Sequence, residues 1–125
     1  MMNLSQMKCK EPIPGDLLLP NEEIERYLKL VNGWQIVENE GEKGIGKRLP
    51  FDDFAGPLEL AVQIGRLAEE ENHHPSIFIA WGRAILSWRT HKVHGLSLND
   101  FIMAAKTDEL YEKLKATHSG SETAD

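Results

Sequence analysis

A single cysteine, Cys9, stands in 125 residues, so no disulfide can close within the chain. That excludes the cross-linked scaffold of small secreted domains and agrees with a reducing compartment. Basic runs are missing too: 14 Lys and Arg against 20 Asp and Glu leave a net charge of -6. Phosphate recognition needs clustered cations, so direct nucleic-acid binding is not expected. The longest aliphatic run, Leu17-Leu18-Leu19, is far short of a membrane span, and the N-terminal stretch holds no apolar segment of signal-peptide length. A soluble, cytoplasmic protein is expected. HExxH and cysteine clusters, the patterns that announce zinc most directly, are also absent.

What remains is an ordinary globular composition, 41% hydrophobic and 27% charged, on one domain's length of chain. Such a chain buries roughly two-thirds of its unfolded surface, enough for a single core without metal or disulfide. Residues 1–19 carry Pro12, Pro14 and Gly15 without periodicity and are expected to be a flexible lead-in. Residues 20–116 form the domain, and the small polar residues of 117–125 a disordered tail.

Within the domain, Ile24, Tyr27, Leu28 and Val31 fall on one helical face, with Asn21 as cap and Asn32-Gly33 as stop. Trp34 to Glu38 reads as a strand. A glycine-bearing turn, ENEGEKG, leads into IGKRLPF, where Pro50 demands an edge position or a strand end. Asp52 or Asp53 caps a second helix with an apolar stripe of Phe54, Leu58, Ala61, Val62, Gly65 and Ala68. Pro75 disfavours helical backbone at His74 and stops that helix near the histidines. Two β-rich runs, Ile77–Trp81 and Ala84–Thr90, flank Gly82-Arg83 as a type II′ hairpin. Ser97 caps a third helix from Leu98 to about Lys115, with Asp100 in an imperfect capping box. The order α-β-β-α-β-β-α predicts an α+β fold in two layers: a four-stranded antiparallel sheet with three helices on one face.

The chemistry concentrates at Glu69-Glu70-Glu71-Asn72-His73-His74-Pro75, with His91 and His94 further on. Imidazoles titrate near neutral pH and can take up and return a proton, and neighbours at a helix end point about 100° apart. Acid–base work at two positions of one substrate is therefore one reading. A zinc site from His91, His94 and either His73 or Glu69 is another, weakened because adjacent His73 and His74 chelate poorly. A third is that these are polar termini satisfying the last helical carbonyls.

The spacing is more specific than these alternatives. Glu69, three residues, His73-His74-Pro75, five residues, Trp81, nine residues, His91, eight residues and Asp100 make a pattern of seven defined positions. Gly33-Trp34, Phe51-Asp52-Asp53-Phe54 and Gly95-Leu96-Ser97 extend it. This constellation resembles the pterin-4a-carbinolamine dehydratase family over about residues 20–114. The resemblance implies the two-layer fold, assembled as dimers or tetramers. It also implies loss of water from a 4a-hydroxytetrahydropterin to give a quinonoid dihydropterin, recycling the cofactor of aromatic amino acid hydroxylases. No metal, nucleotide or redox cofactor is implied. By the same resemblance, His73 and His91 bind and polarise the pterin, and His74 leads the acid–base chemistry. Glu69 would orient the His73 ring, Thr90 would aim a hydroxyl at the substrate, and Asp100 would hold the His91 loop. Trp81 and Trp88 are expected in the core. Two departures stand out: Ile77 where some members carry Trp, and Asn99 where some carry Arg. Relatives of this fold also serve as dimerisation cofactors for a transcription factor or as assembly factors. A non-catalytic partner-binding protein is the alternative, which the intact histidine set disfavours.

Overall fold

The computed structural model describes residues 3–11 and 18–122. Helix α1 (Asn21–Leu28) starts one position before the expected cap releases it: Pro20 is the cap, with extended backbone, and Asn21 is already helical. Its buried face, Ile24 and Tyr27, continues through the following turn to Val31. Trp34 then enters the core, its indole N–H held by Asp108 at 3.0 Å. Lys47 Nζ donates to the other oxygen of that carboxylate at 2.9 Å.

Strands β1 (Gln35–Asn39) and β2 (Glu42–Pro50) form a hairpin whose two turn residues, Glu40 and Gly41, are both left-handed at φ 54° and 82°. Two positive φ angles make the tight primed turn that matches strand twist. The sheet order is β1-β2-β4-β3, antiparallel throughout. Pro50 closes β2, an interior strand, so it is a strand end and not an edge.

Helix α2 (Ala55–Glu71) begins after Phe54, and the Asp53 carboxylate accepts the Gly56 N–H at 2.9 Å. Its buried side is Gly56, Pro57, Leu60, Ile64 and Ala68. The stripe expected to be buried is largely the other one: Phe54, Leu58 and Val62 are exposed. Both rows repeat at three to four residues, so periodicity alone cannot choose between them. Leu60 and Ile64, at 0% exposure, each contribute roughly 1.5–3 kcal/mol of transfer free energy.

Strands β3 (Ser76–Ala80) and β4 (Arg83–Trp88) are joined by Trp81-Gly82, one residue earlier than the expected Gly82-Arg83 loop. Gly82 is the second loop residue, at φ 83°, which a type II′ turn does not use. Trp81 therefore sits at the hairpin tip, 67% exposed, and not in the core. Trp88, on the core face of β4, is fully buried as expected. Helix α3 (Leu98–Glu122) runs well beyond Lys115 into the stretch expected as disordered tail; Thr123 to Asp125 lie outside the described residues. Its first turns bury Phe101, Ile102, Met103 and Ala104 in the core, with the Phe101 ring 5.4 Å from that of Tyr27 on α1.

Three helices thus cover one face of a four-stranded antiparallel sheet, the α-β-β-α-β-β-α order the sequence predicts. The expected lead-in is partly built into the fold: Leu4–Gln6 form a 3-10 turn and Leu4 joins the core. Pro12, Pro14 and Gly15 lie outside the described residues. No helix among the described residues is long and apolar enough to cross a membrane.

Candidate active site

Helix α2 ends because Asn72 turns left-handed at φ 53° and its N–H closes back on the Ala68 carbonyl. Asparagine tolerates that conformation better than other side-chain-bearing residues. The reversal throws His73 inward, where it is 7% exposed. Its ring lies parallel to Trp88, 5.7 Å between centroids, and its Nε2 donates to Asp100 Oδ1 at 2.7 Å.

Asp100 is the junction of three elements. It is completely buried, and beside His73 it accepts the Thr90 hydroxyl at 2.8 Å and the Ser97 N–H at 2.9 Å on Oδ2. Thr90 and Ser97 share a further hydroxyl contact at 2.7 Å. A buried carboxylate is tolerable only when its lone pairs are used in this way. Asp100 thereby ties the end of α2, the end of β4 and the start of α3 together. It fixes Nε2 of His73 as the protonated nitrogen towards itself and leaves Nδ1 for other partners.

His74 follows with its ring 56% exposed and its Nε2 2.5 Å from Glu69 Oε2. Glu69 therefore orients His74 and not His73, contrary to expectation. The left-handed residue is the reason: it turns His73 away from the last helical turn and lays His74 back over it. His91 begins a 3-10 turn (His91–Val93) just past β4 and is 69% exposed. Its Nδ1 is 3.6 Å from Glu42 Oε1, and Arg89 Nε stands at the same distance. His94 Nδ1 lies 2.9 Å from Glu42 Oε2. The His94 hydrogen bond holds the Glu42 carboxyl below the usual range; desolvation opposes it, and the charges of Arg89, His94 and His91 reinforce it. Backbone bonds between Thr90 and Gly95 close the loop that carries the two histidines.

His73, His74, Thr90 and His91 converge on one cleft of about 340 Å³, within the range of small-molecule sites. Glu69 and Asp100 stand behind it: neither is among the lining residues. Asp100 cannot reach a ligand directly, and the Thr90 hydroxyl is already engaged with Asp100 and Ser97. The zinc alternative is not assembled, because His91 and His94 turn to Glu42 while His73 turns to Asp100. Among the described residues no group of three or more His, Cys, Asp or Glu could hold a metal ion. Sequence reasoning missed Glu11, Arg89 and Lys92 on the cleft and Glu42 behind it. Lys92 was marked by its neighbour His91; Glu11 lies in a stretch without periodicity and carried no signal.

Residues 18–110 match the family model described as pterin 4 alpha carbinolamine dehydratase. The chain belongs to that family. A protein of Chlorobium luteolum, provisionally named a pterin-4-alpha-carbinolamine dehydratase, is 40% identical over 91% of this chain and 100% of its own length. One from Azoarcus, with the same provisional name, is 43% identical over 88% of this chain and 93% of its own. A crystal structure from Brucella melitensis, titled a transcriptional coactivator/pterin dehydratase, superposes with a TM-score of 0.69 at 30% identity. It covers 75% of this chain and 98% of that one. In this member of the dehydratase family the fold is the one its relatives carry, and the histidines line the cleft described above.

Proposed function

We propose that this chain removes water from a 4a-hydroxytetrahydropterin by histidine acid–base catalysis. The observation that carries the reading is the convergence of three imidazoles on one cleft, one of them locked onto a buried carboxylate. The reaction needs no change of oxidation state. The C4a–O bond breaks as a proton reaches the departing oxygen, the N5 proton is lost, and the C4a=N5 bond forms. An imidazole can give one proton and take the other near neutral pH, with rate effects of about 10²- to 10⁴-fold.

His74 is assigned the proton transfers, with Glu69 supporting its imidazolium from behind. His73 and His91 bind and polarise the pterin from facing parts of the cleft. Asp100 is a positioning residue, acting through His73, and Thr90 completes its hydrogen bonding. The product is a quinonoid dihydropterin, so the enzyme would serve a cell that oxidises aromatic amino acids with a tetrahydropterin. A cytoplasmic setting follows from the same role.

A second reading has a specific observation behind it. Phe54, at the cap of α2, and Leu58 and Val62 on the helix leave one apolar row, and Phe78 and Ile85 another on the open sheet face. Rows of this kind suit pairing in a homodimer or homotetramer, or docking on a different protein. The test of the first reading is the dehydration rate of freshly generated 4a-hydroxytetrahydrobiopterin with wild type and with His74→Ala. Wild type should outrun the spontaneous reaction, and the variant should lose kcat while still binding pterin. No acceleration by folded wild type would leave the partner-binding reading.

A further inference from the structure

One part of the cleft wall comes from outside the histidine motif. Residues 9–11 cross the junction of α2 and α3 and are tied at every position. The Cys9 N–H donates to Glu71 Oε1 at 2.8 Å. The Lys10 N–H donates to Asn99 Oδ1 at 3.0 Å, and Asn99 Nδ2 returns a bond to the Lys10 carbonyl at 2.7 Å. The buried Asn99 amide thus satisfies both backbone groups of one residue, as a neighbouring strand would. Asn99, at the start of α3, thereby anchors this strap.

The strap delivers Glu11 to the rim. Its Oε1 is 2.8 Å from Lys92 Nζ, and its Oε2 is 3.5 Å from Asn72 Nδ2. Among the described residues lining the cleft, Glu11 is the only carboxylate. The rest of the charged lining is cationic or imidazole: Arg89, Lys92, His73, His74 and His91. Lys92 holds the Glu11 carboxyl below its usual range, so it is an acceptor at neutral pH. The pair is exposed and hence weakly self-satisfied, free to re-form around a ligand.

A pterin presents along its pyrimidine edge two adjacent donors, the 2-amino group and N3–H, followed by the O4 acceptor. A carboxylate beside an ammonium is the complement of that edge, two acceptors and then a donor. We infer that Glu11, with Lys92, is the specificity determinant that reads the 2-amino-4-oxo edge of the substrate, and that Asn99 positions it through the strap. This rests on the pterin reading of the cleft and names the residue that would distinguish a pterin from other flat bicyclic rings.

The test compares binding of 6-hydroxymethylpterin with that of 6-hydroxymethyllumazine, which carries oxygen in place of the 2-amino group. Wild type should prefer the pterin by about tenfold to a hundredfold, the range of a hydrogen bond to a charged group. Glu11→Gln should lose most of that preference. Asn99→Ala should lose it too, while amide exchange at Lys10 accelerates in the free protein. An undiminished preference in Glu11→Gln, or a Lys10 amide still protected in Asn99→Ala, overturns the inference. The two readings separate cleanly. Pterin preference through Glu11 without dehydration sinks only the dehydratase, and dehydration without Glu11-dependent preference sinks only this assignment. A wild type that neither prefers the pterin over the lumazine nor accelerates dehydration overturns both.

Discussion

His73 and His91 face the same cleft from opposite conditions. His73 is buried, stacked on Trp88 and bonded to a carboxylate whose every partner comes from the fold. His91 stands in a 3-10 turn, exposed, near a Glu42 that it shares with Arg89 and His94. One imidazole is fixed by structure that cannot rearrange without unpairing buried groups; the other can move at little cost. A site that must hold a ring and then release it gains from having one wall of each kind.

The strongest way to break that comparison is to remove the centre of the rigid wall. Asp100→Ala strands the His73, Thr90 and Ser97 donors together, and should cost about 3–5 kcal/mol, the range for breaking a buried polar pair. Urea unfolding would read it as a lower midpoint. A loss below about 1 kcal/mol would mean the network relaxes more than its burial implies.

The corresponding change on the open wall, Glu42→Gln, should leave the urea midpoint nearly unmoved and act locally. Glu42 has a folded-state pKa held below its ordinary value, so what it contributes to the loop is present above that ordinary value. The contribution is lost as pH falls through the depressed one. Amide exchange at Val93 and His94, corrected for intrinsic rates, should therefore accelerate on acidification in wild type, and in Glu42→Gln be fast already at neutral pH. His73 should keep its protection in both proteins.

The smallest effect is expected at Cys9. Burial, followed by the charges of Glu71 and Asp100, pushes its thiol up to about 12. The sign follows from the thiol being the form the fold favours: stability is unaffected below the ordinary thiol range and declines as pH rises through it. At pH 8 alkylation by iodoacetamide should be much slower than for a free thiol, and Asn99→Ala, by loosening the strap, should speed it.

The parts of the molecule legible in the sequence share a local cause. Pro75 marked the end of α2, the alternation in β4 marked its core face, and the fixed gaps from Glu69 to Asp100 marked the site. The parts that were not legible depended on one conformation or one choice between equals. Left-handed Asn72 reassigned Glu69 from His73 to His74. A hairpin placed one residue earlier moved Trp81 from the core to an exposed tip. On α2 two apolar rows had the same period, and Pro57, Leu60 and Ile64 took the core while Leu58 and Val62 did not. Glu11 lines the cleft from a strap held by Glu71 and Asn99, both far away in sequence.

The central claim is that both walls serve one dehydration. Its most direct test is the rate at which wild type, His73→Ala and His91→Ala convert freshly generated 4a-hydroxytetrahydrobiopterin, each measured against the spontaneous reaction. The account predicts a clear acceleration by wild type and a loss of about 10²-fold or more in each variant, with both variants folded by circular dichroism. Acceleration that survives both substitutions undiminished would contradict it.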